Sequence, residues 1–135
     1  IIFIRKLIQN YKSNLLQQSE LLNKDYFENL AFLLDKLLGK DLIKIYELKR
    51  DKKLVYSAVF SDVGSTTEYM YGAGNKDLQE SYDGTYLIWS ALKDLKSLGK
   101  TSVNFEGVNS PNRGNFKLSF GGNLKPYYKI LKTIN

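Results

Sequence analysis

The sequence predicts an α+β fold in which one mixed β-sheet carries helices on both of its faces. Three observations support this prediction. Apolar residues recur with a helical period at the start of the chain, short β-branched and aromatic runs follow, and a strand–helix–strand pattern occupies the part after residue 66. The predicted order of elements is α-α-β-β-β-α-β-α-β. By length, residues 1–135 are expected to form one domain.

Two amphipathic helices are expected first. In residues 1–18 the apolar side chains fall close to one helix face. A second helix is predicted from Asp25, where Asp25 and Glu28 resemble a capping box, and Gly39 is the expected residue at which it ends. Together these helices can cover one face of a sheet.

Three strands are expected next, at residues 42–48, 54–60 and 67–71, because these runs are short and rich in β-branched and aromatic residues. The turn-like segments 50–53 and 61–65 separate them. Three antiparallel strands joined by short turns are the simplest arrangement.

The helical period then returns in residues 84–98, with Asp83 as the expected N-cap, Gly99 as the expected stop and Trp89 expected in the core. Residues 101–107 alternate as a strand does. A helix that crosses over between two strands usually makes them parallel neighbours, so this strand is expected beside the one at Thr67.

A short helix is predicted from Pro111, which follows the capping residues Asn109 and Ser110, to about Phe120. A last strand at residues 124–131 completes the predicted sheet. Any chemistry is expected between residues 66 and 128, where the wedge between the two parallel strands would lie.

The composition excludes several classes of site. The chain has no cysteine and no histidine, which excludes a disulfide scaffold, a thiol nucleophile, a Cys/His zinc site and imidazole as a general base. No metal site is expected. No apolar run approaches the roughly 20 residues that span a bilayer, so a cytoplasmic protein without a membrane span is expected. The chain opens on Ile1 and is expected to be a piece of a longer one.

The net charge is +6, but the lysines are scattered. The densest group, at residues 49–53, also contains Asp51 and is typical of a solvated hairpin tip. Specific nucleic-acid binding is therefore not expected. Anionic small molecules, such as nucleotides or acyl-CoA, are the expected partners of a modest positive charge.

Two segments carry a resemblance to a known fold. One is VNFEGVNSPNRGNFKLSFGGNLKPYYKI, in which Phe105-Glu106-Gly107 is followed by Phe116-Lys117 and Phe120-Gly121; the other is YGAGNKDLQESYDGTYLIWSALKDLKSLG. They resemble the GNAT (N-acetyltransferase-like) fold. The resemblance is strongest to the Fem-type aminoacyl and peptidyl transferases of peptidoglycan synthesis and to Fem-like acyltransferases of polysaccharide biosynthesis. It covers residues 4–131 and matches the C-terminal half of such enzymes, which implies a second GNAT-like domain or a homodimer.

The resemblance implies transfer of an acyl or aminoacyl group, from acyl-CoA or aminoacyl-tRNA, to an amine of an anionic or nucleotide-linked cell-wall or polysaccharide precursor. Aminoacyl-tRNA is the one nucleic-acid partner it allows. The usual phosphate-binding loop of acyl-CoA enzymes has paired glycines. The corresponding segment here has Gln79 and Gly84 without that pair, and Asp83 would place a negative charge near a phosphate. The alternative is a non-catalytic GNAT-like structural or docking module.

Glu106 and Lys117 are the candidate catalytic residues. A carboxylate whose pKa is raised by partial burial can take a proton from an amine, which suits Glu106. The resemblance places Lys117 in the transfer site, and Arg113, four residues earlier, would share its helix face and could hold a phosphate or an oxyanion. The alternatives are a salt bridge of Glu106 with either cation and a solvated helix face.

The candidate substrate- or phosphate-binding residues come from four places. A helix N-terminus attracts anions, although an ordinary helix cap would look the same. A strand that ends in glycines lets its backbone approach a ligand. A polar strand face and the start of the last helix supply the remainder. The set is Tyr71, Gly72, Asp83, Gly84, Thr85, Asn104, Asn109 and Arg113.

Overall fold

The computed structural model describes residues 2–17 and 23–134. Within them lie helices α1 (Ile2–Gln17) and α2 (Lys24–Gly39), strands β1 (Ile43–Arg50), β2 (Lys53–Ser61) and β3 (Thr66–Gly74), helix α3 (Asp83–Ser97), strand β4 (Ser102–Asn104) and helix α4 (Pro111–Leu118). This order confirms the predicted elements except the last strand.

The four strands form one mixed sheet in the order β1-β2-β3-β4. β1 pairs with β2 and β2 with β3 in antiparallel register, whereas β3 and β4 are parallel. The parallel pairs run from Thr66 beside Ser102 to Glu68 beside Asn104. The predicted crossover through α3 and the predicted α+β class are confirmed.

The helices cover both faces of the sheet. Helices α1 and α2 pack on one face, where Leu7, Leu34 and Val59 belong to one buried cluster. Helix α3 packs on the other face, where Ile88 and Phe60 belong to a second cluster. The apolar periodicity of the helices therefore produces two cores with the sheet between them.

A β-bulge lies in β3. Val59 pairs with Tyr71 and Phe60 pairs with Tyr69, so Met70 is the extra residue on β3. Without the bulge, Tyr69 and Tyr71 would lie on the same face. Instead Tyr69 packs with the α3 cluster and Tyr71 against the α1–α2 cluster. Bulges are common beside functional sites, where they redirect a side chain.

Two predicted caps of α2 are wrong. Its N-cap is Asn23, whose side chain accepts a hydrogen bond from the N–H of Tyr26 at 3.0 Å, and Asp25 lies in the first turn. Gly39 is the last helical residue, and the left-handed position after the helix is taken by Asp41, with φ 55°. Asn is as good a cap as Asp, and Asp tolerates the left-handed region, so local sequence did not separate these choices.

The predicted strand at residues 124–131 is also wrong: residues 121–134 contain neither helix nor strand. β4 is three residues long, shorter than the predicted 101–107, and Pro126 has no N–H to donate to a neighbouring strand. Because β4 is short and Pro126 lacks an N–H group, residues 124–131 could form few hydrogen bonds with β4.

Trp89, expected in the core, is 52% exposed. The buried face of α3 is formed by Leu87, Ile88, Ala91 and Leu95, and the position of Trp89 turns its ring away from that face. The indole contacts the edge of the Phe120 ring, at 6.1 Å between centroids.

Candidate functional site

A cleft opens where β3 and β4 separate. Their last pair is Glu68 with Asn104. β3 continues to Gly74, whereas the chain after Asn104 leaves the sheet. A cavity of about 380 Å³ lies there, lined by residues of α1, β2, β3, the loop before α3 and α4. On β3 the lining begins at Tyr69, directly after the last pair with β4, and it includes Tyr71 and Gly72. No residue of β4 belongs to the lining, so the predicted wedge has β3 as a wall but not β4.

Two tyrosines form much of the β-sheet wall of the cleft. The hydroxyl groups of Tyr56 and Tyr69 interact with each other, and burial raises the pKa of both. Both lie over the backbone of Gly72, since a Cβ atom there would be 1.8 Å from the Tyr69 Oη and 3.3 Å from the Tyr56 Oη. Gly72 is therefore needed for close packing of the tyrosines.

The loop between β3 and α3 is folded on itself. The N–H groups of Leu78 and Gln79 donate to the carbonyl of Asn75 at 3.1 and 2.8 Å. The side chain of Gln79 lies against Gly74, where a Cβ atom would be 1.5 Å from its Oε1. Gln79 and Ser81 line the cleft. This compact loop brings the start of α3 to the cleft.

At the start of α3 the predicted role of Asp83 as N-cap is wrong. The N-cap is Tyr82, and the Asp83 carboxylate is buried at 2% exposure, where it accepts from the N–H of Glu80 at 2.7 Å and from Arg50 at 2.9 Å. These donors hold the pKa of Asp83 below its usual value, with the Glu80 N–H first and Arg50 second. Arg50 thus balances the negative charge expected near a phosphate.

Gly84 and Thr85 occupy the first turn of α3, whose backbone N–H groups have no partner within the helix. Gly84 lines the cleft and lies against the ring of Tyr56, since a Cβ atom at this position would be 3.1 Å from the nearest ring carbon. Thr85 is exposed and lies outside the lining. The helix N-terminus therefore meets the cleft through Gly84.

Helix α4 supplies the cations of the cleft. Arg113 and Lys117 both line it, which confirms that they share a helix face. The Lys117 Nζ donates to the Gly107 carbonyl at 3.0 Å and lies 6.0 Å from the centre of the Tyr69 ring. Burial lowers the pKa of Lys117, and the nearby charge of Glu106 opposes that shift. The Arg113 Nε donates to the Ser110 hydroxyl at 3.4 Å.

Glu106 lies beyond β4, not on it. Its φ is 63°, and its N–H donates to the Asn104 side chain at 2.8 Å, which forms a turn that ends the strand. Glu106 is exposed and is not part of the cleft lining. Asn109 donates to the Tyr127 hydroxyl at 3.2 Å. Asn104, Glu106 and Asn109 therefore lie outside the lining, and of these Glu106 lies at the rim, near enough to Lys117 for its charge to act on the lysine.

Sequence analysis missed several lining residues, among them Tyr11, Asn14, Tyr56 and Asn112. For Asn14 a signal existed, because an amide lies beside Leu15 on the otherwise apolar side of α1. Its side chain donates to the Gly74 carbonyl at 2.9 Å. Tyr56 had no such signal, since an aromatic residue in a strand is equally typical of a core.

Within the described residues, no group of three or more Asp or Glu side chains is placed to hold a metal ion. The described helices are too short or too polar to span a bilayer.

The architecture matches solved acetyltransferase structures. A predicted acetyltransferase of Clostridium acetobutylicum, solved with acetyl-CoA, aligns with a TM-score of 0.76 at 12% identity over 96% of this chain and 89% of its own. A possible acetyltransferase of Clostridium difficile 630 aligns with a TM-score of 0.72 at 13% identity, over 98% and 91%. The protein has the GNAT fold.

A third structure with this fold is the PaiA N-acetyltransferase of Thermoplasma acidophilum in complex with coenzyme A, with a TM-score of 0.62 at 14% identity over 87% of this chain and 80% of its own. No protein-family model matches the sequence, and no curated protein matches it. At these identities the likeness establishes the fold. The descriptions of the three structures name acetyl transfer, and none names aminoacyl or peptidyl transfer.

Proposed function

We propose that the protein is an N-acyltransferase that uses an acyl-CoA donor. The observation that carries this proposal is the cleft beside the part of β3 that no longer pairs with β4, which is lined by Gly84 at the start of α3 and by the cations Arg113 and Lys117 of α4. Two of the solved structures with the same fold contain acetyl-CoA or coenzyme A, which makes acyl-CoA the donor best supported.

The donor's diphosphate would bind at the first turn of α3. Helix N-termini attract anions through unpaired N–H groups and the helix dipole. Gly84, buried against the Tyr56 ring, is the residue of that turn that lines the cleft, and Gln79 and Ser81 add polar groups from the preceding loop. Because Arg50 holds the Asp83 carboxylate away from solvent, the missing glycine pair does not leave an unbalanced negative charge there.

In the proposed reaction the neutral amine attacks the thioester carbonyl, a C–N bond forms and the C–S bond breaks. Lys117 would stabilise the negative oxygen of the intermediate. Glu106 would take the proton that the amine loses, through water, since it lies at the rim and is near enough to Lys117 to influence its pKa. The leaving thiolate takes a proton to become free CoA.

The acceptor is proposed from the sequence resemblance in residues 103–130. That resemblance favours an amine on a cell-wall or polysaccharide precursor, with a second GNAT-like domain or a second copy completing the enzyme. Aminoacyl-tRNA is the second donor to test. It has the weaker support, because the structural neighbours described above are acetyltransferases.

A non-catalytic module is the rival function. It is favoured by the position of Glu106 outside the cleft lining, which leaves that lining, within the described residues, without a carboxylate general base. A module of this kind would present the cleft to a partner domain without turning over a donor.

Donor binding and turnover separate these functions. Acetyl-CoA should raise the melting temperature, because a ligand bound to the native state stabilises it. Transfer of the acetyl group to a panel of amines should then fall about 10²-fold or more in Glu106→Gln and Lys117→Ala. Lys93→Ala, on the exposed side of α3, is the control. Binding without transfer to any amine would favour the module, and unchanged rates in both variants would reject the two assignments.

A further inference from the structure

Among the residues that the structure describes, the charged side chains that line the cleft are all positive. Arg113 and Lys117 are its only ionised lining residues in the described part of the chain, and no Asp or Glu joins them. The other polar groups are neutral phenols, amides and a hydroxyl, among them Tyr69, Asn14 and Asn112. The cleft therefore attracts anions and repels a simple ammonium ion.

The two candidate anion positions belong to different walls. Gly84 and Gln79 come from the loop and the first turn of α3, and they lie against β2 and the end of β3. Lys117 and Arg113 come from α4, and Lys117 lies over Tyr69, the first residue of β3 after its pairing with β4 ends. If the donor's phosphates bind at the α3 turn, the cations of α4 would face the other substrate.

A cationic wall also changes the acceptor's chemistry. Positive charges near an ammonium lower its pKa and favour the neutral amine that attacks. A lowered ammonium pKa helps here because the described lining has no carboxylate to take the proton. The same positive charges weaken binding of the ammonium form, and a negative group on the acceptor would offset that repulsion.

We propose that the acceptor carries an oxyanionic group, a carboxylate or a phosphate, near its reactive amine, and that Arg113 binds this group. This inference rests on the proposed function. A guanidinium group is suited to the role because its planar fork can donate two parallel hydrogen bonds to a carboxylate or a phosphate. Its Nε already donates to the Ser110 hydroxyl, a contact that orients the side chain on α4.

The test compares acceptors with and without the anion, and each kcat/KM is referred to the fraction of neutral amine, because the anion also changes the pKa of the amine. Phenylalanine is paired with phenylalaninamide, and O-phosphoethanolamine with ethanolamine, at saturating acetyl-CoA. In the wild type, kcat/KM should be about tenfold or more higher for the member with the carboxylate or phosphate in at least one pair. This is the usual scale for a hydrogen bond to a charged group. Whichever pair shows the preference identifies the anion as carboxylate or phosphate.

Arg113→Gln should bring the members of that pair to within about twofold of each other and leave the KM for acetyl-CoA unchanged. Arg113→Lys should keep part of the preference, and Lys93→Gln all of it. Equal rates for both members of both pairs in the wild type would overturn the inference. So would a raised KM for acetyl-CoA in Arg113→Gln with the preference intact, because the cation would then serve the donor.

Direct titration of the same four amines, with and without CoA, separates this inference from the proposed function. If no amine is acetylated but the amines that carry a carboxylate or phosphate bind more tightly through Arg113, the transferase proposal fails and the anion site remains. If acetylation occurs without any preference, the transferase remains and the anion site fails. Absence of both transfer and binding overturns both.

Discussion

The guanidinium group of Arg50 donates to the carboxylate of Asp83 at 2.9 Å and ties the end of β1 to the first turn of α3. The same guanidinium donates to the Leu78 carbonyl at 3.0 Å, and the N–H of Glu80 donates to Asp83 at 2.7 Å. Three hydrogen bonds thus hold the loop that lines one wall of the cleft. An arginine far from that wall in the sequence therefore helps to determine its position.

This pair predicts a pH-dependent stability. The folded state lowers the pKa of Asp83 below its ordinary value of 3.8, so the ionised carboxylate stabilises the fold above that pH and the contribution is lost as pH falls through the folded pKa. Asp83→Asn should lower the free energy of unfolding at pH 7 and pH 5, and its difference from the wild type should shrink below pH 3.8. Urea unfolding at pH 7, 5 and 3 measures this.

Asp77→Asn is the matched control, since Asp77 lies exposed in the same loop. A difference between Asp83→Asn and the wild type that stays constant down to pH 3 would contradict the role of the buried carboxylate.

Gly74→Ala should displace the loop between β3 and α3, to which we assign the donor's diphosphate. A Cβ atom at Gly74 would lie 1.5 Å from the Gln79 Oε1 and 2.8 Å from the Tyr56 ring, so the Gln79 side chain must leave its place. We expect acetyl-CoA affinity to fall about tenfold, the scale of one lost hydrogen bond to a charged group. Isothermal titration measures it. Gly122→Ala, with nothing within 4 Å of the added atom, should bind as the wild type does; equal losses in both variants would argue against a specific loop effect.

Lys117 should set an alkaline limit to turnover. Burial lowers its pKa below 10.5, so the cation proposed to stabilise the intermediate is lost as pH rises, earlier than for an ordinary lysine. The alkaline limb of the kcat profile should therefore lie below pH 10.5. Lys117→Arg should move it to higher pH, because a guanidinium stays charged.

The charge of Glu106 raises the pKa of Lys117 and partly offsets burial. In Glu106→Gln the residual activity should therefore show an alkaline limb at still lower pH. A limb that does not move in either variant would mean that another group titrates.

The single tryptophan gives an optical readout of the C-terminal part of the fold. Trp89 is 52% exposed and its ring contacts Phe120, which in turn stacks on Phe105 at 5.4 Å between centroids. Phe120→Ala should expose more of the indole and shift its fluorescence emission to longer wavelength. Phe32→Ala, on the exposed side of α2, should leave the emission unchanged. An unshifted spectrum in Phe120→Ala would contradict the contact.

The periodicity of the sequence predicted the helices and strands that surround the cleft, because elements with one buried face leave a strong pattern. The parallel pairing of β3 and β4 followed from the length of the crossover alone. Gly99 was predicted correctly as the residue at which α3 stops, with φ 91°. These features depend on short stretches of chain.

The features that were missed depend on contacts between distant residues. No local pattern distinguishes Asp83 as an N-cap from Asp83 as the buried partner of Arg50, which lies 33 residues earlier. The bulge at Met70 arises from pairing with β2. Trp89 is apolar enough for a core, and only the packing of α3 decides which of its faces is buried. The roles of Glu106 and Lys117 in catalysis remain predictions for the experiments above.

Only three residue pairs join β4 to β3 in the described part of the chain, and the cleft begins where they end. The number of β3–β4 pairs therefore determines where along β3 the cleft starts. Each further pair would advance the closed end by about 3.3 Å along β3, toward Gly74. Lengthening or shortening that ladder, for example through the turn that Asn104 and Glu106 form, would therefore change how much of β3 faces the cleft without altering any side chain on its walls.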